Sequence, residues 1–138
     1  MLKATERWLV QVDYDLETAG HMVTTGRYIY AIFMCHLALE KMLKAVISEE
    51  TQTLPPRTHN LIDLARRAKL APSAEHQEFI GKLADASVAT RYPEDLSELL
   101  PQYPEAVTQE YLKSTKEVIA WIRRDPRLQA SSTDTANN

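Results

Sequence analysis

Residues 27–49 read RYIYAIFMCHLALEKMLKAVISE. Projected as a helix, Ile29, Phe33, His36, Glu40, Leu43 and Ile47 share one side, and Ala31, Met34, Cys35, Ala38, Met42 and Ala45 lie across from them. A helix with apolar or small residues on its back as well as its front is either central to a bundle or packed against another subunit. Lys41 is the main charge on the back, so the pattern favours a homodimer. Glu40 is the anomaly in this run, because an unpartnered carboxylate inside apolar surroundings costs several kcal/mol or is forced to protonate. His36 and Lys44 stand one turn to either side of it at helical spacing.

Working outward, the same period recurs. Leu9, Val12, Leu16, Ala19 and Val23 step by 3, 4, 3 and 4, predicting a helix from about Ala4 to Thr24 with Thr5 as its start signal. Gly26 separates it from the second run. Pro55-Pro56 closes the first half, since proline lacks the amide donor and drives its predecessor out of helical geometry. A short helix is expected from about Asn60 to Leu70, burying Leu61, Leu64, Ala65 and Ala68. Another follows from about Ala74 to Ala89 through Phe79, Ile80, Leu83 and Ser87. Three prolines mark 90–104 as a long loop, and loops of that length are often functional. The last helix, about Glu105 to Arg124, steps through Val107, Tyr111, Ser114, Val118 and Trp121. No alternating strand pattern and no glycine-rich phosphate loop interrupts the series. The expectation is an all-α, up-and-down bundle of four long helices plus one short helix. It fills one domain, 1–125, with a disordered polar tail over 126–138.

Composition bounds what such a bundle does. The 138 residues carry Lys+Arg 16 against Asp+Glu 19, a net charge of −3, which removes the whole-surface basic field typical of nucleic-acid binders. The charge is uneven: 51–70 holds Arg57, Arg66, Arg67 and Lys69 against Asp63, and the last stretch is basic again. A local anion site therefore stays open beside the plainer reading of solvated helix faces. The single cysteine, Cys35, builds neither an internal disulfide nor a thiolate zinc cage, and it reads as a small core residue. His21, His36, His59 and His76 show no paired metal spacing, so neither a metal nor another cofactor is expected. The N-terminus is charged and no apolar run approaches ~18 residues, so a cytoplasmic protein with no membrane association is expected.

Three places offer polar chemistry. The first is Glu40 with His36 and Lys44, read either as a preorganised polar spot or as a buried network fixing helix register. The second is Thr58-His59-Asn60 at the mouth of the short helix, where Thr58 or Asn60 caps the helix and His59, beside Arg57, meets a phosphate. The third is Arg91-Tyr92-Pro93, a guanidinium next to an aromatic ring. That pair suits a phosphate with a stacked base, or anchors the loop with Arg91 answering Glu40.

Taken in order, AIFMCHLALEKMLKAVI, PPRTHNLIDLARRA, TRYPE and a final helix ending in Trp121 resemble the HEPN domain over roughly residues 5 to 124. Glu40, Lys41 and Lys44 fall at that family's glutamate-lysine signature. His59 and Leu61 match its His-x-Leu element, and Arg91, Tyr92 and Pro93 match its arginine-tyrosine-proline turn. The resemblance implies a four- or five-helix bundle, commonly a homodimer, often paired with a minimal nucleotidyltransferase as toxin and antidote. Some members are metal-independent ribonucleases whose motif is an arginine followed four to six residues later by histidine. That motif is missing, since no histidine follows Arg91.

The expected function is thus a HEPN-type dimer binding a nucleotidyltransferase partner, a nucleotide or RNA, without autonomous catalysis. Its site candidates are Glu40, Lys41, Lys44, Arg57, His59, Arg91 and Tyr92. The alternative is a divergent ribonuclease toxin using His59 or His36 as acid–base group and Arg91 to stabilise charge developing on the phosphorane.

Overall fold

The computed structural model describes residues 1–129. Four long helices carry the bundle: α1 (Lys3–Thr24), α2 (Tyr28–Thr51), α4 (Ala74–Arg91) and α6 (Glu105–Arg123). Three short ones complete it: α3 (Leu61–Arg67), α5 (Leu96–Leu99) and α7 (Pro126–Gln129). No strand occurs among the described residues. The all-α, up-and-down expectation and its four long helices hold.

α2 is the central element and packs against α1, α3, α4, α6 and α7. Gly26, at φ 78°, makes the left-handed turn that folds α1 back along it. Both sides of α2 are buried inside the one chain: Ile29, His36, Glu40, Leu43 and Ile47 on the front, Ala31, Cys35, Ala38, Met42 and Ala45 on the back. Its all-round apolarity therefore follows from a central position within the bundle. A second subunit is not needed to explain the lightly polar back, because α1 and α6 pack against α2 within the chain. Cys35 is buried, and burial pushes its thiol up to about 11 against a smaller lowering by Thr115 of α6, which makes it a core residue.

Several local expectations are corrected. Thr5 is fully buried within α1, and Leu2 stands at the cap position with its amide donating to Glu49 Oε1 at 3.0 Å. The segment 90–104 is not one long loop: α4 runs to Arg91, Asp95 caps α5, and a 3-10 turn spans Leu100–Gln102. α6 is rotated from its predicted stripe, exposing Val107 and burying Thr108 and Thr115. These two hydroxyls bond the carbonyls of Tyr103 and Tyr111, which lets threonine sit in a core at little cost. The tail expected from residue 126 is shortened at its front. Pro126–Gln129 form α7, Leu128 enters the core, and the rest of that expectation, 130–138, lies outside the described residues. No helix among the described residues is long and apolar enough to cross a membrane.

Candidate functional site

The helical period of α2 stacks His36, Glu40 and Lys44 one turn apart on one line. Pro55 and Pro56 keep the chain after α2 extended, and the segment returns across that line at His59 before α3 begins. Two hydrogen bonds fix His59 there. Its carbonyl accepts from His36 Nε2–H at 3.2 Å, and its own Nδ1–H donates to Glu40 Oε2 at 3.0 Å. The same Glu40 oxygen accepts from Lys44 Nζ at 3.0 Å. Asn60 Oδ1 accepts from the Asp63 amide at 3.0 Å and caps α3, while Thr58 Oγ1 accepts from the Asn60 amide.

α4 supplies the opposite wall. Its last residue, Arg91, lays its guanidinium over the Phe33 ring, 5.0 Å from the centroid, and points Nη2 at His36 Nδ1 at 3.5 Å. A cation held on an aromatic face keeps its charge while its remaining N–H groups stay available. Between these walls lies a cleft of about 410 Å³ whose polar lining includes His36, His59, Asn60, Asp85 and Arg91, with Tyr92 at its edge.

The electrostatics follow from these contacts. Burial pushes the Glu40 carboxyl up, but hydrogen bonds from His59 and Lys44 outweigh it and hold the group below its ordinary value, ionised. Burial drives His36 down to about 4; the Arg91 charge adds to this, and nearby Glu40 only partly opposes it. His36 is therefore neutral at pH 7. Its Nε2–H must donate to a carbonyl, so its Nδ1 carries the lone pair facing Arg91. His59 is the complement: Nδ1–H is committed to the carboxylate, and Nε2 is the ring's remaining nitrogen on a half-exposed residue at the cleft. A carboxylate that fixes a histidine tautomer is the usual way to orient an acid–base or hydrogen-bonding imidazole.

Of the residues singled out from sequence, Glu40, Lys44, His59, Arg91 and Tyr92 gather at or directly behind the cleft, with His36 between them. Lys41 is turned away, pairing with Asp15 of α1 at 2.8 Å. Arg57 is exposed and does not line the cleft. Arg91 does not answer Glu40, whose hydrogen bonds come from Lys44 and His59. Phe33, Ile62, Asp85 and Val88 were not foreseen as part of this place. The spacing of Asp85, Val88 and Arg91, three residues each along one helix, was the available signal. The basic segment and the chain end do meet, but as ion pairs: Asp63 with Arg66 and Arg67, Glu50 with Lys69 and Arg127. Among the described residues no group of three or more His, Cys, Asp or Glu side chains is placed to hold a metal ion.

Comparison with known proteins agrees with this architecture. The crystal structure of an archaeal HEPN homologue superposes with a TM-score of 0.70 at 22% identity, covering 88% of this chain and 97% of that one. A crystal structure from Thermus thermophilus superposes with a TM-score of 0.73 at 20% identity, covering 88% and 98%. These likenesses are of fold. No curated protein matches the chain. The family model described as HEPN domain matches residues 5–125, nearly the whole bundle, and the chain belongs to the HEPN domain family.

Proposed function

We propose that the protein is a HEPN-type binding module that holds a nucleotide or an RNA phosphate in the cleft between α2, the start of α3 and the end of α4. The observation carrying this reading is the convergence of the adjacent pair Arg91 and Tyr92 with His59, from a separate stretch of sequence, on one cleft. Arg91 supplies a fixed positive charge to a phosphate, Tyr92, 80% exposed, supplies a stacking face, and His59 supplies a tautomer-locked nitrogen. Glu40 and Lys44 act from behind by holding His59. Membership of the family supports the wider reading: a cytoplasmic homodimer, working with a minimal nucleotidyltransferase as one half of a toxin–antitoxin pair.

Fluorescence anisotropy with a labelled single-stranded RNA, at increasing salt, tests the cleft. Binding that weakens as salt rises and falls at least tenfold in Arg91→Ala is expected. Unchanged affinity in Arg91→Ala and His59→Ala would remove the cleft from the account. Capture at low salt from the source cells, with mass spectrometry and sedimentation of the eluate, tests the partner and the dimer. A monomer without a nucleotidyltransferase would end the two-component reading.

The pairing of His59 with Glu40 favours a second reading, metal-independent RNA cleavage with His59 as the acid–base group and Arg91 stabilising charge on phosphorus. It predicts cleavage that survives EDTA and disappears in His59→Ala or Arg91→Ala variants that remain folded. Cleavage retained in both variants would rule these residues out.

A further inference from the structure

Two features of the cleft are unexplained by phosphate binding alone. Asp85 is the one carboxylate among the lining residues; it is exposed, its charge is felt by Tyr111, and among the described residues no hydrogen bond or ion pair holds it. A carboxylate repels a phosphate, so in a cleft that holds a nucleotide it faces a different part of the ligand. The second feature is the apolar rim: Val88 is 74% and Ile62 58% exposed, on opposite walls of the same cleft.

Along α4, Asp85, Val88 and Arg91 succeed one another at steps of three residues. Carboxylate and guanidinium are thus about 9 Å apart along the helix axis, with the apolar side chain between them. A single nucleotide repeats that order. Its phosphate needs a cation, its ring faces need apolar or aromatic cover, and its base edge presents donors or acceptors. Arg91 is the one lysine or arginine side chain of the lining, and burial keeps His36 neutral. One guanidinium opposite one carboxylate suits a single phosphate group and not a compact triphosphate.

A carboxylate has only acceptors, and it pairs best with two adjacent donors. Guanine offers that pair, N1–H beside its exocyclic amino group. Adenine and cytosine each set one amino donor beside a ring-nitrogen acceptor, and uracil flanks its single N–H with two carbonyls. All three turn a lone pair toward the carboxylate, which penalises them. We propose, building on the nucleotide-binding reading above, that this cleft selects guanine: Asp85 takes the base edge, Val88 and Ile62 with Tyr92 cover the ring, and Arg91 holds the single phosphate. The ligand is a guanosine monophosphate unit, free or within an RNA strand.

Calorimetric titration of the intact protein with GMP, AMP, CMP and UMP tests this. A single-stranded RNA pentamer with one central guanosine, and its adenosine counterpart, separate the free nucleotide from the strand. GMP, or the guanosine pentamer, should bind about tenfold more tightly than its competitors. Asp85→Ala should erase that preference while leaving AMP binding unchanged or stronger, because the repulsion of adenine's ring nitrogen goes with the carboxylate. Asp85→Glu should restore part of it. The side chain is exposed and unbonded, so these variants keep the helical circular dichroism of the parent. Equal affinity for all bases, still lost in Arg91→Ala, overturns the guanine assignment and leaves the cleft reading standing. Absence of binding by every nucleotide and both pentamers overturns both.

Discussion

Glu40 is a carboxylate 4% exposed, with Lys44, at 7%, donating to it from the next turn. Removing one partner of such a pair leaves the other charge buried alone, which typically costs about 3–5 kcal/mol, whereas replacing both by apolar groups is often neutral. Glu40→Ala should therefore lower unfolding stability in urea by about that amount, and Glu40→Leu with Lys44→Met should recover most of it. A loss below about 1 kcal/mol in Glu40→Ala would show that Lys44 reaches water in the absence of its partner. His36 gives a separate signature in pH. Its ordinary value of 6.5 falls to about 4 in the folded chain, so between those pH values the unfolded state binds more protons. Stability is full above pH 6.5 and is lost progressively toward pH 4, by on the order of 3 kcal/mol. Glu40, depressed in the fold, adds its own loss only as pH falls below the ordinary carboxylate range. Urea titrations at pH 7 and 5 should separate the two, because His36→Gln flattens the upper window and leaves the lower one. An unchanged slope in that variant would place the titrating group elsewhere.

At the scale of elements, α3 has 7 residues, too few to persist without its neighbours, yet it begins at the cleft wall. Asn60 caps it through the Asp63 amide, so Asn60→Ala should cost about 1 kcal/mol in thermal or urea unfolding. It should also weaken ligand binding, since His59 stands one residue before. Loss of stability with intact affinity would mean that Glu40 and His36 alone hold His59. The long helices were legible because their 3.6-residue period is strong and their breaks, Gly26 and Pro55-Pro56, are unambiguous. α5 was not legible: three prolines suggest a loop, and its four residues are stabilised mainly by the Asp95 side chain accepting from the amides of Ser97 and Glu98. The register of α6 was missed because threonine reads as polar, although Thr108 and Thr115 bond backbone carbonyls and bury fully. At the site, the line of His36, Glu40 and Lys44 was readable from spacing within one helix. The capture of His59 by Glu40 was not, because it depends on how the segment after the prolines crosses α2. Asp85 and Val88 carry no sequence signal of a site by themselves, because the cleft they line exists only where α3 closes its other side.

At the scale of the whole molecule, the question is what closes the bundle once α2 is enclosed. α7 does so at the end where α2 and α3 finish. Leu128 is 5% exposed in the core, and Arg127 donates to the Ala68 carbonyl at 2.6 Å and to Glu50 at 3.3 Å while paired with Asp125. The hydrogen bond from Arg127 holds the Asp125 carboxyl below its ordinary value although burial opposes it. A chain ending at Asp125, the boundary that the sequence suggested, loses Leu128 and this clamp together. One ending after Gln129 keeps both. The shorter chain should be less stable by about 2–5 kcal/mol from Leu128 alone. Ion pairs at this degree of exposure contribute little by themselves, on the order of 0–1 kcal/mol each. The bond to the Ala68 carbonyl differs, because it ties α7 to the residue that ends α3. Leu128→Ala in the full chain separates the two contributions. If it reproduces the whole loss of the shorter chain, the apolar contact closes the bundle and the arginine is incidental. If the shorter chain is less stable by a further kcal/mol or more, Arg127 is what couples α7 to α3. In that case Arg127→Gln should also loosen α3, seen as faster amide hydrogen exchange at Leu64 and Ala68, while α1 stays as protected as before.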